Sequence, residues 1–388
     1  MEFLASTVQY VIPFLLVLTV LIFVHEMGHF LLARWNGVKV EVFSIGFGKE
    51  LWGFNDKHGT RWRFSVVPLG GYVKMFGEGD VITGVDDTEE RPMTEGEQKV
   101  SFHHKRLSQR SAIVVAGPVA NFLFAVLALW ALNSAIGIPT MLSVVGEVIP
   151  DSAAQEAGFE AGDRILSVDA QPIRLFRELS DIVSVNAGNT LTFEVQRGDA
   201  VMALTATPRV WGESEEGGDD ANDDDNEKSD ESPKRGLLGV RPDFSAAPSE
   251  RVGVFEGLIL GVEQTYALTG HILGGLGEMF SGERSAKELG GVILIAEASG
   301  NAAQGGMASV LHFMALLSIN LGLINLFPIP VLDGGHLAFY LAEALRGKPL
   351  SLQVQEYGFR FGLGLVFLLM VFATWNDFGR LFERLGLG

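Results

Sequence analysis

Four long apolar runs dominate the pattern of hydrophobic and polar positions along the chain. They cover residues 6–34, 113–138, 310–331 and 361–375. Ser6 or Thr7 is placed to cap the first run as a helix of roughly 28 residues, which at about 1.5 Å per residue is long enough to cross a bilayer. The pattern therefore predicts a polytopic α-helical membrane protein with about four transmembrane helices.

A shorter, alternating pattern lies between the first two runs. The stretch "RWRFSVVPLGGYVKMFG" (61–77) alternates apolar and polar residues around a Pro-Leu-Gly-Gly segment, which predicts a β-hairpin. A solvated surface loop is the alternative, but the apolar side chains of Trp62 and Val73 need cover, which favours a hairpin. The edge of such a hairpin could pair with an extended peptide.

The region between the second and third runs resembles a soluble module. Residues 141–210 give a strand, a short helix, a Gly-Asp turn, a strand and a hairpin, which predicts an inserted α/β domain. Residues 212–233 are acidic and of low complexity, and we expect them to be disordered because they cannot bury a core. Strand character returns at 236–244. Residues 251–281 are apolar but carry several ionisable groups, which predicts an amphipathic helix on the outer membrane face.

Basic residues beside the runs predict the orientation. They flank the loop 35–108 at both ends: Arg34, Lys39, Lys49, Lys105, Arg106 and Arg110. Because lysine and arginine favour the cytoplasmic side, we expect this loop to be cytoplasmic, and the N-terminus and the module to be outside. No basic residue precedes the first run and no small-residue cleavage site follows it, so no cleaved signal peptide is expected.

Composition narrows the possible chemistry. The 388 residues are 47% hydrophobic and 20% charged, as is natural for a membrane protein that carries a soluble domain. The net charge is -18, and residues 139–308 contribute -17 of it, with 12 Lys and Arg against 29 Asp and Glu. Such a segment repels nucleic acid. The chain has no cysteine, so metal ligands must come from His, Asp and Glu.

The stretch "LIFVHEMGHF" (21–30) places three ionisable groups inside the first apolar run. His25 and His29 are four residues apart and share one helix face, as the zinc motif H-E-x-x-H requires. Glu26 is placed to take a proton from a water molecule that zinc activates. Packing of these polar groups against other helices is the alternative, but three of them within five membrane-embedded residues favour a functional site.

A third zinc ligand is expected from "NLFPIPVLDGGH" (325–336), where prolines and glycines break an apolar run. Asp333 is the best candidate, although Asp-Gly is also common in turns just outside a membrane. His336 and His312 are further candidates. Depth favours Asp333, because it and His25 lie at similar distances from the outer ends of their runs, about 27 Å for His25.

These motifs resemble the site-2 protease family of intramembrane zinc metalloproteases, in its bacterial RseP-type branch. HEMGH is similar to the zinc motif of the family, and "INLFPIPVLDGGH" is similar to its second signature. "VEVFSIGFG" (40–48), "QRSAIVVAGPVANF" (109–122) and "ALLSINLGLINLFP" (315–328) also resemble that branch. The resemblance covers nearly the whole chain.

The resemblance implies a set of site residues. His25, His29 and Asp333 would bind Zn²⁺, and Glu26 would be the catalytic base. A further set would lie near the substrate: Asn325, Asn121, Gly117, Gly71 and Tyr72. By the same resemblance, 61–77 would hold the substrate extended, and 141–210 with 236–244 would form a PDZ domain.

The implied domain organisation has four parts. They are a catalytic membrane part at 1–138, an extracytoplasmic PDZ domain at 139–250 with the acidic tract, an amphipathic membrane-surface helix and linker at 251–300, and a C-terminal membrane part at 301–388. The chain departs from proteobacterial relatives in having one PDZ domain rather than two, in the acidic insertion, and in Ala161 before Gly-Asp. These departures affect the ligand specificity of the PDZ domain and not the catalytic chemistry.

The implied activity is regulated intramembrane proteolysis in the bacterial inner membrane. Expected substrates are single-pass membrane proteins already trimmed outside, such as anti-sigma factors, and remnant signal peptides. A metal-binding membrane protein or a metal transporter could use the same His and Asp residues. It would not need Glu26 beside the metal, which is the residue that distinguishes the two functions.

Overall fold

The computed structural model of the protein describes residues 2–77, 93–139, 142–210, 236–243, 249–250 and 252–384. The chain forms two compact units, one made of Met1–Ala135 with Gly253–Gly388 and the other of Ile136–Val252. The acidic tract 212–233 lies outside the described residues.

Helices make up most of the first unit. Four of the described helices, α1, α3, α8 and α10 below, are long and apolar enough to cross a membrane. In the described part of the chain the helices are α1 Glu2–Trp35, α2 Glu95–Val100, α3 Leu107–Ala135, α4 Ala153–Glu156, α5 Phe176–Val185, α6 Val254–Ser281, α7 Val292–Gln304, α8 Met307–Leu326, α9 Asp333–Arg346 and α10 Leu352–Arg384.

Strands occur in both units. The described strands are β1 Val40–Asn55, β2 Arg61–Met75, β3 Ile138–Pro139, β4 Val145–Val148, β5 Arg164–Val168, β6 Gln171–Pro172, β7 Leu191–Arg197, β8 Ala200–Ala206, β9 Arg209–Val210, β10 Gly236–Leu237, β11 Val240–Pro242 and β12 Ser249–Glu250.

The start of the first predicted helix is corrected. Helix α1 begins at Glu2, so Ser6 and Thr7 lie inside the helix and not at its cap. The helix of the third apolar run ends at Leu326, within the break predicted at 325–336. It ends there because a proline two residues on, at position 328, lacks the backbone N–H that a helix interior needs.

Helix α3 is the centre of the first unit, because α1, α6, α8 and α9 all pack against it. Small residues permit close packing: a Cβ at Gly261 of α6 would lie 2.9 Å from the carbonyl oxygen of Val126. Between α3 and α8 lies a buried apolar cluster that includes Ala125, Ala315 and Ile319. Helix α6 is thus a long helix packed on α3. Its predicted position on the outer membrane face stays a prediction.

The prediction that residues 61–77 form a hairpin by themselves is wrong. The stretch forms the single strand β2, and its two halves do not pair with each other. Both pair with β1, so that Ser44 lies between Arg63 on one side and Tyr72 on the other. At the Pro-Leu-Gly-Gly segment, β2 crosses from one edge of β1 to the other. Strand β1 enters between the halves because it carries Phe43, which is fully buried against α1.

The second unit is an α/β module, as its sequence pattern predicts. Strand β4, helix α4, a Gly-Asp turn and strand β5 follow one another, and β7 and β8 form the expected hairpin. The largest sheet has the order β6-β5-β7-β8, and β4 pairs with β11. Phe193, Ile165 and Val145 are fully buried in its core.

Candidate metal centre

Three side chains converge at the site. In the structure, Nε2 of His25 lies 3.1 Å from Oδ2 of Asp333, and Nε2 of His29 lies 3.5 Å from Oδ1 of the same carboxylate. The two Nε2 atoms are 3.3 Å apart. The three residues form a group able to hold a metal ion, the one such group among the described residues.

The separations fit a zinc ion. Zinc binds His nitrogen and carboxylate oxygen at about 2.0–2.2 Å in tetrahedral geometry, which puts neighbouring ligand atoms about 3.3 Å apart. The observed separations of 3.1, 3.3 and 3.5 Å lie around that value. Two imidazoles and one carboxylate are also a donor set that zinc prefers, and a catalytic zinc keeps its fourth position open for water or substrate.

Each histidine has a partner for its other ring nitrogen. Nδ1 of His29 lies 2.9 Å from the carbonyl oxygen of Ile113, an atom that only accepts, so Nδ1 carries the ring proton. This leaves the Nε2 lone pair for a metal. Nδ1 of His25 lies 3.1 Å from Nδ2 of Asn121, which is fully buried on α3.

Small residues bring α1 and α3 close enough for these bonds. A Cβ at Gly28 would lie 2.7 Å from the carbonyl carbon of Ala116, and one at Gly117 would lie 2.8 Å from Cε1 of His25 and clash with the His29 ring. Real Cβ atoms do not approach so closely. The two glycines therefore create the space that the imidazoles occupy.

The loop after α8 delivers Asp333. It spans Phe327–Leu332, and Asp333 is the first residue of α9. A Cβ at Gly335 would lie 2.5 Å from Cα of Pro330, and one at Gly334 would clash with the end of α8, so the loop folds back onto itself only with both glycines. Val331 has a φ of 102°, a strained value for a β-branched residue that the surrounding packing holds in place.

Glu26 faces a small cavity beside the triangle. The cavity has a volume of about 90 Å³, and its walls include Glu26, His29, Asp333 and His336. That is room for several water molecules. Tyr340, which also lines the cavity, lies under the Arg110 guanidinium, whose Nη2 donates to Glu343 at 2.7 Å and so ties α9 to α3.

The remaining predicted residues fall into two groups. Gly71 lies against α1, since a Cβ there would be 2.9 Å from Ile22 and 3.2 Å from Cγ of Glu26. Tyr72, its neighbour on β2, is half-buried under the Arg63 guanidinium. Asn325 is half-buried near the end of α8, and His312 is exposed on α8, outside the metal group.

Sequence reasoning missed how α3 supports the site. The carbonyl of Ile113 carries no sequence signal at all. Asn121 was expected at the substrate, but in this structure its side chain has no exposed surface and lies on His25. Its spacing of four residues from Gly117 puts both on one face of α3, which could have suggested a shared role at the histidines.

Comparison with known proteins gives concordant matches. The profile described as Peptidase family M50 matches residues 13–369. A protein named a zinc metalloprotease from Rhizobium meliloti is 42% identical over 385 residues, covering 98% of this chain and 100% of the relative. One so named from Agrobacterium fabrum is 39% identical over 378 residues, covering 96% of each chain.

A third relative has a more specific name. The "Regulator of sigma-E protease RseP" of Salmonella typhimurium is 32% identical over 468 residues, covering 95% of this chain and 98% of the relative. Among solved structures, a PDZ domain of an SdrC-like protein from Listeria monocytogenes covers 27% of this chain and 90% of its own, with 17% identity and a TM-score of 0.20. So low a score carries no argument about the fold.

Proposed function

Because the chain belongs to peptidase family M50 and is a zinc metalloprotease, we propose that it cleaves peptide bonds within single-pass membrane proteins. The observation that carries this proposal is the triangle of His25, His29 and Asp333 beside Glu26, in a unit with four helices able to cross a membrane. The name of the Salmonella relative supports membrane-anchored regulators of the anti-sigma factor class as substrates. Remnant signal peptides present the same kind of single membrane segment.

We assign distinct roles to the four residues. His25, His29 and Asp333 hold the zinc ion through Nε2, Nε2 and a carboxylate oxygen. When bound there, Zn²⁺ supplies Lewis acidity that polarises the scissile carbonyl and the attacking water. Glu26 takes a proton from that water as it attacks and gives the proton to the departing amine. The cavity beside Glu26 supplies the water that hydrolysis consumes.

The outer edge of β2 is the proposed substrate clamp. Residues 71–73 pair with β1 along one edge, and no other strand of the described chain pairs with them. Gly71 lets this strand pass close to Ile22 and Glu26. A peptide added to that edge would be extended, with its carbonyls no longer bonded inside a helix, and would run past Glu26. Tyr72 and Asn325 are assigned to this substrate region.

The finer membrane arrangement is also a proposal. We propose that the loop 35–108 is cytoplasmic, that both termini and the second unit are outside the cytoplasm, and that the second unit is a PDZ domain. The basic residues at the ends of that loop support the orientation. Reporter fusions at about residue 85 and about residue 225 should report opposite sides of the bacterial inner membrane. Signals from the same side would overturn this topology.

The catalytic assignment is tested with Glu26→Gln. The purified full chain should keep its zinc, because Glu26 is not in the ligand triangle, and should lose at least about 100-fold in cleavage of a trimmed single-pass substrate. The matched control is Glu263→Gln, the same change at an exposed position of α6, which should cleave like the wild type. A metal transporter would keep its function in the Glu26 variant. Full activity of a folded, zinc-loaded Glu26→Gln protein would therefore contradict the protease assignment of this site.

The ligand assignment is tested with Asp333→Ala. It should lose most of the approximately one equivalent of zinc that a site of this kind binds. Zinc content should be measured by elemental analysis after gel filtration, with the elution profile as the check on folding. Undiminished zinc in a folded Asp333→Ala protein would remove Asp333 from the ligand set.

A further inference from the structure

The side chain of Asn121 is a buried polar group that the proposed chemistry does not use. It lies on α3 with no exposed surface, enclosed where α1 and α8 pack on α3. Its amide faces Nδ1 of His25 at 3.1 Å, and its Oδ1 atom has no hydrogen-bond partner. Native proteins rarely leave a buried amide oxygen unpaired, so the atom needs an explanation.

Metal binding at Nε2 of His25 supplies that explanation. A neutral imidazole that gives its Nε2 lone pair to a metal carries its proton on Nδ1, and this proton needs an acceptor. For His29 the acceptor is the carbonyl of Ile113. For His25 the group in reach is the Asn121 amide. The two ends of an amide have nearly the same shape, so it can turn Oδ1 toward the ring.

We propose that Asn121 is a positioning residue that holds His25 in the tautomer and ring orientation that bind zinc, by accepting a hydrogen bond from Nδ1. The inference rests on the proposed function, in which His25 is a ligand. Asn121 touches neither the metal nor the substrate. It acts through His25, as the Ile113 carbonyl acts through His29.

The contacts separate this role from a purely structural one. The hydrogen bond that joins α8 to α3 at this position runs from Oγ of Ser318 to the main-chain carbonyl of Asn121, at 2.8 Å. Loss of the Asn121 side chain leaves that bond in place. The side chain itself has a polar contact only with His25 among the described residues, so its removal should weaken zinc binding more than it weakens the fold.

The test compares Asn121→Leu with Asn133→Leu in the full-length protein. Asn133 is also buried on α3, and its Nδ2 donates to Gln264 at 3.0 Å. It lies about 18 Å farther along the helix, since each residue adds about 1.5 Å. Zinc affinity is measured by competition with a fluorescent chelator, and folding by thermal unfolding in detergent. Asn121→Leu should bind zinc about 10- to 100-fold more weakly, and Asn133→Leu should bind it like the wild type.

A conservative variant and a spectroscopic readout complete the test. Asn121→Asp keeps an oxygen that accepts from Nδ1, so it should restore most of the affinity that the leucine variant loses. In zinc-loaded wild-type protein, ¹⁵N NMR of the histidine rings should show His25 protonated at Nδ1. That measurement decides the matter even where Asn121→Leu fails to fold, and ligation of zinc through Nδ1 of His25 would overturn the proposal.

The outcomes distinguish the two proposals. If His25→Ala keeps full zinc affinity, the ligand assignment fails, and the role of Asn121 fails with it. If His25→Ala loses zinc while a folded Asn121→Leu protein stays within about twofold of the wild type, a change far below the usual effect of such partners, only the role of Asn121 fails.

Discussion

The two units of the chain place apolar and polar side chains in opposite ways. In the first unit, large apolar side chains stand exposed on the long helices, among them Phe255 at 86% and Phe361 at 70%. Its buried polar residues include His25, His29 and Asn121 at the metal centre. In the second unit, only four large apolar side chains among the described residues are exposed: Ile136, Val185, Val201 and Leu237.

The difference reflects the solvent that each unit is built for. Soluble proteins rarely expose large contiguous apolar surface, so a unit with such helices is built for lipid. Inside lipid, a polar side chain must find its partner within the protein, as the histidines do on α3. In water, a buried charge can pair with a group that reaches the surface. Asp163 of the second unit is fully buried and pairs with Arg197, which is partly exposed.

Gly117→Ala should disrupt the metal centre of the first unit, and we expect it to have the largest effect of the changes described here. The added methyl group would overlap the His29 ring and crowd the His25 ring, so α1 and α3 would have to separate. Zinc affinity should fall by more than about 100-fold, beyond the usual effect of losing a group that only supports a ligand. The measurement is chelator competition on the purified protein.

Gly364→Ala is the control for that experiment. Gly364 lies on α10, where an added Cβ meets no atom within 4 Å. Helix formers usually stabilise such positions, so this variant should keep its zinc and unfold at the same temperature or a slightly higher one. Equal zinc affinity in the two alanine variants would mean that the close approach of α1 and α3 is not needed for the site.

Arg197→Met should break the second unit and spare the first. It removes the cation that pairs with the buried Asp163 carboxylate and leaves the backbone N–H of Glu160 as its remaining partner, which should destabilise the second unit. Limited proteolysis of the full chain should cut within 136–252 far sooner than in the wild type. Zinc content should stay unchanged, because the ligands lie in the other unit. Loss of zinc together with the second unit would show that the two are coupled.

The ion pair of Asp163 and Arg197 should also make the stability of the second unit depend on pH. Burial alone would raise the pKa of Asp163, but hydrogen bonds from Arg197 and from the backbone N–H of Glu160 hold that pKa below its usual value. The pair therefore adds stability above the unfolded pKa of about 3.9, and the addition is lost as the pH falls through the lowered folded value. Proteolysis of 136–252 should accelerate below about pH 4 in the wild type. Asp163→Asn should flatten that part of the pH dependence, and an unchanged profile would contradict the assignment.

The sequence could predict those features of this protein that depend on the spacing of residues within one short segment. The pair His25 and His29 follows from helical spacing, and the break that frees Asp333 follows from its prolines and glycines. The contacts of α3 could not be predicted, because an apolar helix gives little indication of which face meets which neighbour. The partner of β2 was missed for a related reason: a Pro-Leu-Gly-Gly segment predicts a change of direction, but not that β1 enters between the two halves.

Helix caps offer the smallest test of the contrast between the units. In the first unit, Asp377 on α10 is buried and accepts from the backbone N–H groups of Gly291, Ile293 and Leu294, so one helix caps the start of another. In the second unit, Ser152 caps its own helix α4 by accepting from the N–H of Gln155 at 3.3 Å.

Asp377→Ala and Ser152→Ala should each cost about 0.5–2 kcal/mol, with Asp377→Ala at the upper end. The effect at Asp377 should be larger because three backbone N–H groups would lose their acceptor there. Little water is available in the lipid-facing unit to replace that acceptor. Thermal unfolding in detergent should report the first change, and proteolysis within 136–252 the second. A cost at Ser152 larger than at Asp377 would mean that water reaches the start of α7 freely, and that the lipid-facing character of the first unit ends before that point.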